Sequence, residues 1–146
     1  MKLTSELWLR HPVERVFPFF ADAANLERLT PPWLHFRILT PAPIVMHEGT
    51  RIDYRIRLHG IPLGWQSEIT AWDPPHRFVD EQRRGPYTYW RHAHTFVEER
   101  GGTLVKDDVE FDVPFAFVSR WFVMRDLRKV FDYRSQAMLK LFPPSA

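Results

Sequence analysis

Residues 87–96 read YTYWRHAHTF, and the run from here to residue 142 decides the fold. Trp90, His92, His94 and Phe96 fall on one side of a two-residue alternation, the pattern of a strand with a buried face. Gly101-Gly102 then supplies a hairpin turn. Residues 103–113 alternate again, with Val105, Asp107, Val109, Phe111 and Val113 sharing a side. Pro114 ends that run, and residues 117–142 form one long amphipathic helix. Strand, turn, strand and long helix in this order predict a curved antiparallel sheet gripping a C-terminal helix, with space between them.

The rest of the chain extends the same sheet. Residues 3–10 alternate, and His11-Pro12 ends them. A short helix follows with Val16, Phe17, Phe19 and Phe20, limited by Pro18 or entered through it as a turn. Asp22 caps a second short helix through Leu29, which Pro31-Pro32 stops. Strands are expected over residues 36–39, 50–59, 65–72 and 78–83. The third is preceded by a turn over residues 60–64, which contains Pro62. The alternation is cleanest over residues 50–59, where Ile52, Tyr54, Ile56 and Leu58 oppose Arg51, Asp53, Arg55 and Arg57. One face therefore belongs to the core and the other to water. The expectation is an α+β chain with about seven strands and two short helices before the long one. Residues 1–146 are read as one domain.

The long helix carries an anomaly. Leu127, Arg134 and Leu141 are seven residues apart and lie on one line. Val123, Val130 and Ala137 flank it on one side, Met124, Phe131 and Met138 on the other. An arginine thus sits in the middle of an apolar stripe. Burying an unpaired guanidinium costs several kcal/mol, so Arg134 needs a partner or a wet cavity. It either braces Asp107 as a strut, contacts a ligand, or is turned to the surface by helix rotation. The inward strand faces offer His92, His94, Asp107 and Gln82, the last sharing a side with Phe78 and Asp80. A few convergent polar groups in an apolar hollow are the usual character of a ligand site. Tyr54, Trp65, Trp90, Met124 and Phe131 complete the expected wall.

Other constellations are weaker. His92 and His94 with Asp107 have the composition of a two-histidine, one-carboxylate metal site, but histidines that line the cavity are the preferred reading. His92 beside Asp107 also forms an acid–base pair on paper. His11, His35, His47, His59 and His76 lie near turns or strand ends and are expected to be exposed. No nucleophile motif, P-loop or dinucleotide fingerprint is present, so no cofactor is expected. There is no cysteine, which excludes disulfides, thiolate metal sites and a cysteine nucleophile.

Composition bounds the function. Apolar residues make up 45% and aromatics 15% of the chain, more aromatic surface than a minimal core needs. The net charge of +2 is too small to imply a nucleic-acid partner. No apolar run is long enough to span a membrane, and the first residues lack the apolar core of a signal peptide. A cytoplasmic location is the default expectation, without stable membrane insertion, and a homodimer is compatible with it. The run PFAFVSRWFV over residues 114–123 is unusually apolar for a helix entry. It reads as core packing, as a gate over the cavity, or as a contact with a membrane or partner.

The segments GPYTYWRHAHTF (85–96), GGTLVKDDVEFDVP (101–114) and LRKVFDYR (127–134), in that order, resemble one branch of the SRPBCC proteins. These belong to the START/Bet v 1-like superfamily, and the branch is that of the polyketide cyclase/dehydrase-like proteins. PVERVFPFFADAANLERLTP (12–31) is similar to the opening of that family. The resemblance implies a helix-grip fold with a deep cavity between sheet and helix. The same branch is similar to domains fused to sugar-nucleotide epimerase-like oxidoreductases, and this chain has no Rossmann portion. The family implies no universal catalytic triad, and no catalytic residue is assigned. The leading expectation is binding of a hydrophobic or amphipathic small molecule: a lipid, isoprenoid or polyketide-like compound. Arg134, His92 and Gln82 would orient its polar head, such as a carboxylate or carbonyl. The alternatives are a cyclase or dehydratase using His92 and Asp107, with Arg134 or Tyr54 stabilising an enolate-like oxygen, and a partner-binding module of ribosome- or quinone-complex type.

Overall fold

The structure, a computed structural model, describes residues 1–114 and 116–143, the side chains of 116–119 excepted. Seven strands form one antiparallel sheet. They are β1 (Lys2–Leu9), β2 (Arg37–Ile38), β3 (Arg51–Leu58), β4 (Ile61–Asp73), β5 (Arg77–Arg84), β6 (Tyr89–Glu99) and β7 (Gly102–Asp112). The helices are α1 (Val13–Phe20), α2 (Leu26–Leu29) and the long α3 (Ala116–Leu141). The strand order is β1-β7-β6-β5-β4-β3-β2, so the first strand pairs with the last and the short helices bridge the two edges.

Two tight hairpins set the register. The turn between β3 and β4 is His59-Gly60 alone, with φ of 50° and 82°. The turn between β6 and β7 is Arg100-Gly101, with φ of 50° and 75°. Two successive positive φ values match the right-handed twist of the strands they join. The expected turn over residues 60–64 is therefore shorter, and Pro62 sits exposed near the start of β4, opposite Arg57. β4 and β5 slip register between Gln66 and Ser67 and again between Ile69 and Ala71. Such irregularities bend a strand and increase its twist, which helps the sheet to curve.

Pro18 does not end α1 but lies inside it. Its ring is on the exposed side, and Glu14, whose carbonyl loses the usual amide partner, is exposed as well. Asp22 caps as expected, accepting from the amide of Ala24 at 3.0 Å, but the cap opens a 3₁₀ turn that leads into α2. His11 is buried rather than exposed: its Nε2 donates to the carbonyl of Pro143 at 2.7 Å, tying the end of α3 to the end of β1. The other four turn histidines are exposed.

The interior has two apolar clusters. One gathers Leu9, Val13, Val16, Phe17, Phe20, Phe78, Phe96, Met138 and Phe142 between α1, the sheet and the end of α3. The other gathers Ile56, Trp65, Trp90, Val109, Phe111, Leu127 and Phe131 under the first half of α3. No helix among the described residues is long and apolar enough to cross a membrane.

Candidate functional site

A pocket of about 520 Å³ lies between the sheet and α3. Its walls are mainly apolar: Phe20, Leu29, Ile52, Ile56, Ile69 and Phe78 from α1, α2 and the sheet, with Val123, Leu127, Val130 and Phe131 from α3. Tyr54, Trp65, Tyr87 and Trp90 form a continuous aromatic side; Tyr54 and Trp65 stack with centroids 5.7 Å apart, and Trp65 meets Trp90 edge-on at 5.3 Å. At the rim, His59 Nε2 from the β3–β4 turn lies 2.7 Å from Asp126 Oδ2 on α3.

The polar end is set by strand register. Asp80 on β5 pairs with His92 on β6, and His94 on β6 pairs with Asp107 on β7. Three neighbouring strands therefore present Asp80, His92, His94 and Asp107 on one face, and α3 brings Arg134 down onto them. Arg134 is buried, and it binds Asp107 twice, Nε to Oδ2 at 3.3 Å and Nη2 to Oδ1 at 3.2 Å. Its guanidinium lies 5.3 Å from the ring centroid of Phe20. The strut reading of the sequence holds, and Arg134 lines the pocket as well.

The histidines have distinct roles. His92 Nε2 lies 2.8 Å from Asp107 Oδ1, and His94 Nε2 lies 2.6 Å from Asp80 Oδ2. Carboxylates accept, so both Nε2 atoms carry hydrogen. His94 Nδ1 faces Arg134 Nη2 at 3.4 Å and accepts from it. The two imidazoles stack 3.7 Å apart, and His94 stacks on Phe78 at 4.1 Å.

Burial, followed by the neighbouring His92, lowers the pKa of His94 to about 4, against the opposing pull of Asp80. His94 is therefore a neutral spacer at ordinary pH. Burial pushes the carboxyl of Asp107 up, but Arg134 and His92 outweigh it and hold the group well below the usual carboxylate range. Asp80 follows the same logic: burial opposes ionisation, and the hydrogen bond from His94 leads the interactions that lower its pKa. The phenol of Tyr54 is pushed well above its ordinary value, first by burial. It lies 3.2 Å from Ser67 Oγ, which also accepts from Trp65 Nε1 at 3.0 Å.

Of the ten residues read from the sequence as ligand-contacting, Tyr54, Trp65, Trp90, His92, His94, Phe131 and Arg134 line the pocket. Three do not. Gln82 is engaged by the β5–β6 turn: its Nε2 donates to the carbonyl of Tyr87 at 2.7 Å, and its Oε1 accepts from the Tyr87 amide at 3.1 Å. Asp107 is covered by Arg134 and His92, and Met124 packs to one side of the pocket, against the second cluster. Sequence reasoning misses Asp80 and Ser67 as site residues. Asp80 is detectable, since it shares strand parity with Phe78 and Gln82. Ser67 has no such signal, because its role depends on Trp65 and Tyr54 reaching it across β3 and β4.

Asp80, His92 and His94 each offer a ligand atom within 4.8 Å of the others. The carboxylate of this metal-like trio is Asp80, not the expected Asp107. The hydrogen bonds do not suit a metal ion. A metal on His94 Nε2 would leave Nδ1–H pointing at the guanidinium of Arg134, donor against donor and charge against charge.

A seven-stranded curved sheet closed over by a long C-terminal helix is the helix-grip architecture. The chain belongs to the family described as polyketide cyclase / dehydrase and lipid transport, which matches residues 9–139. Similar solved structures include a protein of Mycobacterium smegmatis, 21% identical, covering 99% of this chain and 92% of that one with a TM-score of 0.73. Ginseng major latex-like protein 151 is 10% identical, covers 99% and 98%, and has a TM-score of 0.68. A nucleoside-diphosphate sugar epimerase of Corynebacterium glutamicum is 24% identical over 94% of this chain but 28% of its own, with a TM-score of 0.68. These likenesses establish the fold. No curated protein matches the sequence.

Proposed function

We propose that the chain is a cytoplasmic, single-domain binding protein for a hydrophobic or amphipathic small molecule of lipid, isoprenoid or polyketide-like character. The observation that carries this reading is the pocket of about 520 Å³, apolar around its sides and polar only at one end. That volume lies in the range of sites that enclose small organic ligands. Each 100 Å² or so of apolar ligand surface removed from water contributes roughly 2.5 kcal/mol before ordering costs are subtracted. The polar end then fixes orientation rather than supplying most of the affinity.

The test is organic extraction and native mass spectrometry of the purified protein, alongside titration with an apolar fluorescent probe. The expected result is a co-purifying small molecule or saturable probe uptake, either of which Ile56→Trp blocks by filling the pocket while the circular dichroism spectrum is kept. Absence of both a co-purifying molecule and probe uptake in the wild type would refute the proposal.

A second reading is supported by one contact. His92 is oriented by Asp107 through Nε2–H, which leaves Nδ1 as the basic nitrogen, as in a general base. For a cyclase or dehydratase, His92→Gln should abolish turnover and keep binding. Arg134 and Tyr54 are poorer candidates for its oxyanion donors, since Asp107 already engages the first and Ser67 the second.

A further inference from the structure

The polar end of the pocket carries an excess of acceptors over donors. Two carboxylates, Asp80 and Asp107, face a single guanidinium, and Arg134 directs it at Asp107 through two nitrogens. Asp107 is satisfied there and by His92. Asp80 receives only the N–H of His94, which is neutral. Its other oxygen, Oδ1, has no hydrogen bond among the described residues.

His92 is the second observation. Its side chain is 8% exposed, its Nε2–H is committed to Asp107, and its Nδ1 makes no hydrogen bond among the described residues. The nearest carboxylate oxygen to Nδ1 is Asp80 Oδ2, at 4.0 Å. Among the described residues, no buried side-chain nitrogen or oxygen lacks a partner. An unbonded Nδ1 must therefore open onto the pocket, and so must Asp80 Oδ1. Both residues line it. Oδ2 already accepts from His94 but, like Nδ1, receives no donor across this gap, and two facing acceptors repel unless a donor lies between them. With each hydrogen bond at about 2.9 Å, a nitrogen bridging a 4.0 Å gap subtends roughly 90°. That is about 20° tighter than the roughly 109° between two N–H bonds of an ammonium group, a bend that hydrogen bonds tolerate.

We propose that this pocket selects a ligand with an apolar body and a hydrogen-bond-donating polar end, best a protonated amine, seated between Asp80 and His92 Nδ1. The inference rests on the pocket being a ligand site and reverses the expectation that Arg134 recruits a carboxylate. Arg134 keeps one nitrogen, Nη1, without a hydrogen bond among the described residues, and it too opens onto the pocket. Its positive charge, however, is already offset by Asp107, whereas the charge of Asp80 is not offset by any cation of the cluster in direct hydrogen-bond contact. A carboxylate reaching Nη1 would also enter the field of Asp80. A positive charge there gains from Asp80 in a medium less polarisable than water.

Four probes with one aromatic body separate the possibilities: naphthylethylamine, naphthylethanol, naphthylacetate and ethylnaphthalene, titrated at neutral pH by calorimetry or tryptophan quenching. The expected order is amine, then alcohol, then acetate, with the amine at least tenfold tighter than the acetate. Asp80→Asn, which keeps an acceptor for His94, should bring the amine and acetate within about threefold of each other and leave ethylnaphthalene unchanged. Preference of the wild type for the acetate would assign the polar end to Arg134 Nη1 and overturn the proposal. Equal affinities, or an unchanged ratio in Asp80→Asn, would overturn it too. In either case binding of ethylnaphthalene would leave the pocket reading standing, while failure of all four to bind would remove both. Should Asp80→Asn not fold, the wild-type order decides alone.

Discussion

The two ends of the interior are built from similar residues and do opposite things. Around α1, rings pack mostly edge to face: Phe17 meets Phe78 and Phe96 edge-on and Trp72 at a tilt, and Phe19 meets Phe20 and Phe142 edge-on. Around the first half of α3, Trp65, Trp90, Ile56 and Phe131 are as apolar, yet they stand back around a hollow. The difference lies in what faces the helix. At the α1 end two layers press on the sheet, α1 and the last turns of α3. At the other end α3 spans the sheet with only short turns beside it. The pocket begins at the inner edge of the α1 cluster, where Phe20 and Phe78 belong to both, and extends under α3 where no second long helix backs it.

That contrast can be broken by mutation. The largest expected effect is Phe17→Ala, which removes the hub of the solid end. It should cost about 3–5 kcal/mol in denaturant unfolding and leave probe affinity unaltered in the folded fraction. A comparable effect on affinity would show that the two ends act as one unit.

Next is acid sensitivity, which belongs to the polar cluster at the junction. His94 has its folded pKa lowered from 6.5 to about 4. Between these values the unfolded chain takes up a proton that the folded chain refuses. Stability is thus complete above about pH 6.5 and falls as pH drops toward 4, by up to roughly 3 kcal/mol at about 1.4 kcal/mol per unit. Asp80 and Asp107, both lowered, preserve their contributions until still more acidic conditions and lose them as pH falls through their folded values. Unfolding free energies measured from neutral to about pH 4 should show this slope, and His94→Gln should flatten it. A slope that survives His94→Gln would place the acid sensitivity elsewhere.

The smallest effect sharpens the comparison from the hollow side. Ile56→Ala enlarges a space that already exists instead of opening one. It should cost only about 2 kcal/mol, near the transfer value of the three lost carbons, yet weaken apolar probes several-fold. A loss as large as that of Phe17→Ala would mean that the wall bears load.

The strands of the sheet are readable because period-two alternation survives in the sequence wherever one face is buried, as over Ile52, Tyr54, Ile56 and Leu58. Arg134 is readable as an anomaly because a charge in an apolar stripe demands a partner, and Asp107 is on the right strand face to be one. The two-residue turn at His59-Gly60 is hidden by Gly64 and Pro62, which imitate a longer loop. Gln82 is misread since parity places a side chain on a face but does not say whether a nearby turn captures it. The lone pair on His92 Nδ1 cannot be read at all; it exists because Nε2 points at Asp107, a matter of ring rotation. The apolar run over residues 114–123 falls partly on Phe115 and the side chains of 116–119, which lie outside the described residues; of the remainder, Trp121 and Phe122 are exposed.

His59 at the tip of a hairpin meets Asp126 of α3 at the exposed rim, where water and counter-ions weaken a polar contact. A guest in the pocket would be held deep inside, by surfaces that salt does not reach. The clasp at the rim is the part of this boundary that dissolved ions can screen. If the pocket is a ligand site, tenacity belongs to its dry walls, and only its rim feels the ionic strength of the surroundings.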